Sequence, residues 1–168
     1  MKKALLYSIL LLSVISCIEQ EEVIIPGELE GKWEKEFSTE EDSWEHIFEF
    51  KSNGTYESIS IRNIPTEELQ PGILDYSKGN YSKIDGKLVL SSISHFYAEN
   101  YLIPPSEIGL LKEQLEWVIP DEVAEFSLEE DNTILVVTFL GCNDVLDPRA
   151  RIANCAPPTP MAYKRVLE

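Results

Sequence analysis

Three cysteines and two histidines are the residues of this 168-residue chain best suited to covalent, redox or acid–base chemistry. Cys17 ends an apolar run, Cys142 and Cys155 stand thirteen residues apart, and His46 and His95 fall on different expected elements. A zinc site needs further ligands close in sequence or space, and two lone cysteines without a neighbouring His make a poor one. No Gly-x-Ser-x-Gly elbow, phosphate-binding Gly-rich loop or His-Glu-x-x-His helix occurs. Thirty Asp and Glu side chains could supply an acid–base pair, but no spacing singles one out. Glu40-Glu41-Asp42 and Glu129-Glu130-Asp131 lack the alternating Asp/Asn ligands and glycine of a calcium loop, and read as solvated hairpin turns. The expectation is a protein without catalytic residues, metal or cofactor.

The first residues explain one cysteine. Lys2 and Lys3 precede an apolar run from Ala4 to Ile15 and the small residue Ser16, which is the grammar of a secretion signal. The run is about a dozen residues, short of the ~20 that span a bilayer. Val14-Ile15-Ser16-Cys17 resembles the lipobox of bacterial lipoproteins. That resemblance implies removal of residues 1–16 and acylation of Cys17, and two acyl chains give the stable membrane attachment that one does not. Ile18-Glu19-Gln20-Glu21-Glu22 follows, an acidic cluster compatible with an outer-membrane lipoprotein facing either the periplasm or the cell surface. Residues 17–28 read as a tether, with Pro26-Gly27 as its breaker.

Cleavage would remove two basic residues and no acidic one, leaving 152 residues with 12 basic and 30 acidic side chains, a formal charge of −18. Such a surface repels nucleic acid and anionic headgroups. The length suits one domain, residues 29–168, with a proper core. With Cys17 acylated, Cys142 and Cys155 remain as an even pair in an oxidising compartment. A disulfide between them is expected, stabilising by about 3 kcal/mol through loop entropy.

Strand patterns dominate that domain. Leu29, Gly31, Trp33 and Phe37 share one face of the first strand, interrupted by Lys35; Trp44, His46, Phe48 and Phe50 share one face of the second, Trp44–Phe50. Asn53-Gly54 and Asp85-Gly86 are hairpin turns, joining Trp44–Phe50 to Thr55–Arg62 and Gly79–Ile84 to Lys87–Ile93. Residues 65–77, with Pro65, Pro71 and Gly72, read as an irregular connection. A third hairpin joins Glu125–Glu129 to Thr133–Phe139, whose two faces both look buried, and Met161–Leu167 closes the chain. Ser106 is placed to cap a helix over Glu107–Val118, with Ile108, Leu111, Leu115 and Val118 on one stripe, serving as a structural cover or as a lid. Eight antiparallel strands with hairpin links can close into an up-and-down barrel without exposed edges. The predicted fold is therefore an all-β, eight-stranded antiparallel barrel with one inserted helix.

Gly31-Lys32-Trp33, Phe48-x-Phe50-Lys51-Ser52-Asn53-Gly54-Thr55-Tyr56, Gly79-Asn80-Tyr81, Lys87-Leu88-Val89-Leu90 and Tyr163-Lys164-Arg165-Val166 together resemble the small lipocalin-like lipoproteins of bacteria. The resemblance implies that Trp33 sits at the closed end with Arg165 lying across it, and that the interior holds a small apolar or amphipathic molecule. Trp33, Trp44, His46, Phe48, Phe50 and part of Ile134–Phe139 are the candidate lining. His46 is then either an interior histidine satisfied by a neighbour or a polar handle in a ligand cavity, while His95 reads as a surface or hinge residue. An accessory lipoprotein with a filled core, acting through its acidic surface and the 142–155 loop, is the second reading; its protein partner is not specified by any motif. Replacing Cys17 by Ser should abolish palmitate incorporation and release the protein from the membrane fraction. Unchanged labelling of the Cys17→Ser chain would contradict the anchor.

Overall fold

The computed structural model describes residues 27–40, 42–115, 119–141 and 157–167. Their backbone forms strands β1 Gly31–Ser38, β2 Ser43–Phe50, β3 Thr55–Arg62, β4 Gly72–Ile84, β5 Lys87–Tyr97, β6 Lys112–Glu113, β7 Glu122–Glu129, β8 Ile134–Phe139 and β9 Met161–Arg165. Every pairing is antiparallel, in the order β4-β3-β2-β1-β9-β8-β7-β5, and the pairing of β4 with β5 closes the ring. The result is an eight-stranded barrel, with β6 outside it on the far end of β5. Positive φ at Asp85 and Gly86, 51° and 76°, matches the mirror-image turn that a two-residue hairpin requires.

Alternate residues point inward, and at one end they form a floor of rings. Trp33 is fully buried and donates its indole N–H to the Leu29 carbonyl at 2.8 Å. Phe48, Phe50, Tyr56, Tyr81, Leu88, Leu90, Leu135, Val137 and Tyr163 pack with it as one cluster. Arg165 seals this end, its guanidinium carbon 4.2 Å from the Trp33 ring centroid. It donates to the carbonyls of Glu30 at 2.7 Å, Asn132 at 2.8 Å and Glu28 at 3.3 Å, joining the incoming chain to the β7–β8 turn. Gly31 has φ +123°, and a Cβ there would stand 3.1 Å from Arg165 Nη1, so the close approach of the guanidinium depends on glycine.

A second arginine organises the opposite end. Arg62 is fully buried and donates from Nε and Nη2 to the two carboxylate oxygens of Asp42, both at 2.7 Å. Its Nη1 donates to the Tyr101 carbonyl at 2.8 Å and the Gln70 carbonyl at 3.4 Å, and its carbon lies 4.7 Å from the Tyr101 ring centroid. One side chain thereby ties the β1–β2 turn, the β3–β4 connection and the segment after β5 into a single rim. Asp42 is consequently not the solvated turn residue that its acidic neighbours suggest.

The helix over Glu107–Val118 is not formed across its described part, residues 107–115: the chain makes a 3-10 turn at Ile108–Leu110 and then β6. Gly109 lies mid-stripe and weakens any helix, while Ile108 and Leu115 are exposed. Only Leu111 is buried, against Ile73 and Ala98 on the outer face of the barrel rather than over its mouth. The upper edge of β5 offers better hydrogen bonds, which Glu113, Lys112 and the Gln114 N–H take up. Residues 65–77 are likewise only partly irregular, because β4 begins at Gly72. On β8 the inward Leu135 and Val137 are buried and the outward Ile134 and Val136 only half-buried, so its two faces are not equivalent. Cys17, Cys142 and Cys155 lie outside the described residues. Arg62→Ala should lower stability by about 3 kcal/mol by stranding the Asp42 carboxylate, read as a fall in urea midpoint at unchanged slope.

Candidate functional site in the barrel interior

Three cross-strand rows follow from the register of β2 to β5. His46 stands opposite Ser60, Ser60 opposite Asp75, and Asp75 opposite Tyr97. One step below lie Phe48, Ser58, Ser77 and His95, and below those Phe50, Tyr56, Gly79 and Ser92. Opposed residues project to the same face, and the burial of Phe48, Phe50, Tyr56, Ser58 and Ser60 identifies that face as the interior. β2 therefore contributes rings alone, whereas β3, β4 and β5 contribute four serines, a glycine, Asp75 and the polar rings of Tyr56, His95 and Tyr97.

Two register shifts create this pattern. Ser60 faces Asp75 while Ile61 faces Ile73, leaving Leu74 extra; Lys78 faces Ser94 while Gly79 faces Ser92, leaving Ile93 extra. Counting by twos from Gly72 would turn Leu74 and Tyr76 inward, and from Ser92 it would turn Ser94 and Phe96 inward. Each bulge advances the count by one residue and brings in Asp75 and Ser77, and His95 and Tyr97, instead. A Cβ at Gly79 would lie 2.1 Å from the Ser91 carbonyl oxygen and 2.9 Å from the Tyr56 ring, so the second bulge requires glycine there.

Several of the polar groups so placed have side-chain partners close by. His46 Nδ1 lies 3.1 Å from the Tyr163 hydroxyl, and its ring meets Phe48 edge-on at 4.6 Å. Ser77 Oγ and His95 Nδ1 are 2.6 Å apart, and the Tyr56 hydroxyl and Ser92 Oγ 2.8 Å. Glu122 enters from β7 opposite the buried Leu90. Burial raises the Glu122 pKa, and burial followed by the Glu122 charge raises that of Tyr163. Burial lowers the pKa of His46, with the charge of Asp75 pulling the other way.

Among the residues expected to line a cavity, His46, Phe48 and Phe50 meet in these rows, and Trp33 lies beneath them with Gly31 and Arg165 at the closed end. Trp44 sits higher, half-buried and stacked on Phe37 at 5.4 Å. His95 is a correction: it faces inward onto Ser77 and is neither a surface nor a hinge residue. Asp75, Ser77 and Glu122 are not singled out by sequence, and the alternation in Asp75-Tyr76-Ser77 is the one signal that points to the first two. A separate cleft of about 360 Å³, lined by Glu28, Lys83, Gly86, Phe126, Ser127, Leu128 and Asn132, opens at the closed end, away from the polar rows. Among the described residues no group of three His, Cys, Asp or Glu could hold a metal ion.

Comparison with protein families, with curated proteins and with solved structures finds no match to this chain.

Because the His46 pKa is lowered from 6.5, the unfolded chain binds its proton at higher pH than the folded protein does, and stability falls as pH drops below about 6.5. Glu122, raised from 4.5, works in the opposite direction: its burial penalty fades as pH falls. Denaturation midpoints measured between about pH 7 and pH 5 should therefore decline more steeply for the wild type than for His46→Gln. Parallel curves would contradict the assignment.

Proposed function

We propose that this chain is a membrane-anchored, lipocalin-like binding protein whose barrel holds a small amphipathic molecule. The observation that carries the reading is the asymmetry of the interior. Rings from β2 share their rows with Ser58, Ser60, Ser77, Gly79 and Ser92, small or hydroxyl-bearing residues where a filled barrel would place aliphatic bulk. An apolar segment of the ligand would rest on Phe48, Phe50 and Trp33, and its polar group would meet the His46 and His95 rows.

Acylated Cys17 would attach the protein to the envelope, at the outer membrane, with the domain facing the periplasm or the cell surface. The described chain begins at Gly27 beside the Arg165 seal, so the tether would join at the closed end and leave the Arg62 rim at the other. Binding, rather than turnover, is the proposed activity.

One observation favours the accessory-protein reading instead. Ile64, Leu102, Ile103, Leu110 and Leu115 are exposed on the connections at the rim, more apolar surface than a solvated loop needs.

Titration with a neutral naphthalene probe, followed through tryptophan emission, separates the two. Saturable quenching is expected for the wild type, with affinity reduced at least tenfold in Ser58→Phe, which fills the hydroxyl wall. Absence of saturable quenching in the wild type would remove the carrier reading.

A further inference from the structure

The chemistry of the inner rows limits what the polar end of such a ligand can be. Two carboxylates reach the interior from different sides of the ring, Asp75 on β4 and Glu122 on β7. Among the described residues the Asp75 carboxylate accepts no hydrogen bond and has no ion-pair partner, although it stands in the row of His46, Ser60 and Tyr97. His46 shares that row, and burial lowers its pKa, which disfavours its charged form.

The two guanidinium groups at the barrel ends are committed elsewhere. Arg62 gives its donors to Asp42, Tyr101 and Gln70, and Arg165 lies below the Trp33 floor with its donors on three carbonyls. Lys35 stands opposite His46 on β1, but its ammonium group lies 5.0 Å from the Phe37 ring centroid, toward the rim. Below that row Phe48 packs against Tyr163 and Tyr56, with ring centroids 5.3 and 6.4 Å away, and meets the His46 ring edge-on.

We infer that the polar group of the ligand is a cation, a protonated amine or quaternary ammonium on a hydrocarbon chain. Resting on the binding function proposed above, this assignment names the class of molecule. An alkyl ammonium would find Asp75 as a counter-charge, ring faces for cation–π contact and the Ser60 and Ser58 hydroxyls as acceptors. A fatty-acid carboxylate would instead be brought beside the Asp75 carboxylate, with no guanidinium among the described residues left to receive it.

The test is calorimetric titration of the full-length, membrane-anchored protein in zwitterionic nanodiscs, with empty nanodiscs as the blank. Octyltrimethylammonium, octanoate and octanol are compared at equal chain length. The ammonium should bind at least tenfold more tightly than octanoate, with octanol between them. Asp75→Asn should cut the ammonium-to-octanoate ratio at least fivefold while leaving octanol affinity within twofold, which also shows that the variant is folded. Glu49→Gln, on the exposed outer face of β2, should leave the ratio unchanged and so exclude attraction by net charge alone. Octanoate binding as tightly as the ammonium, or a ratio indifferent to Asp75→Asn, would overturn the cation assignment while leaving the binding function intact. If none of the three binds, the assignment falls together with the binding function.

Discussion

In a closed antiparallel barrel every residue is assigned to the core or to solvent by parity, and a shift of one position reverses the assignment for everything beyond it. This chain contains two such shifts, at Ser60/Ile61 and at Lys78/Gly79, and its interior depends on them. Between them β4 presents Asp75 and Ser77 inward and sends Tyr76 outward, where its hydroxyl donates to Glu57 at 2.9 Å. Without the shifts Ile73 would turn inward on β4 and Phe96 on β5, whereas Tyr76 faces out by plain alternation with Gly79 and Tyr81. With them, Ile73 and Phe96 pack outside in a cluster with Ile59, Tyr76, Ala98 and Leu111. The same displacement therefore makes the inner polar wall and supplies the outer apolar patch that Leu111 covers.

The two ends of the barrel are held by arginines in different ways. Arg165 uses neutral carbonyl acceptors and the Trp33 ring, which keeps its charge near the surface and costs little desolvation. Arg62 is fully enclosed and needs the Asp42 carboxylate, whose pKa the guanidinium pulls below its ordinary value. A buried bidentate pair fixes geometry even where it adds little net stability, and here it sets how three rim segments approach one another. With these two arginines occupied, the rows between them present hydroxyls, imidazoles and the Asp75 carboxylate.

The strands were legible because their signals are local. Asn53-Gly54 and Asp85-Gly86 mark two hairpins, and Trp44 to Phe50 alternates without interruption, so β2, β3 and the lower halves of β4 and β5 follow from period two alone. His95 was not legible, because parity counted from Leu88 and Leu90 slips at Ile93; Ser77 and Asp75 are in step with Gly79 and Tyr81 but lie in a stretch whose parity from Gly72 slips at Leu74. The segment before Asp75 was also obscured by Pro65, Pro71 and Gly72, although β4 pairs from Gly72 onward. The stripe of Ile108, Leu111 and Leu115 failed for another reason. It has helical spacing, but the packed fold provides a surface for Leu111 only, and the free edge of β5 outcompetes one short helix containing Gly109. Asp42 and Arg62 lie twenty residues apart, with no local pattern linking them.

The most direct measurement is the set of intermolecular nuclear Overhauser effects between a bound octyl-chain ligand and the protein. If the inner rows hold the ligand, its head-group protons will show contacts to the His46 and His95 ring protons and its terminal methyl to Phe50. Contacts confined to Phe126 and Leu128 in the cleft at the closed end, or to the outward Tyr76 and Phe96, would contradict a ligand site inside the barrel.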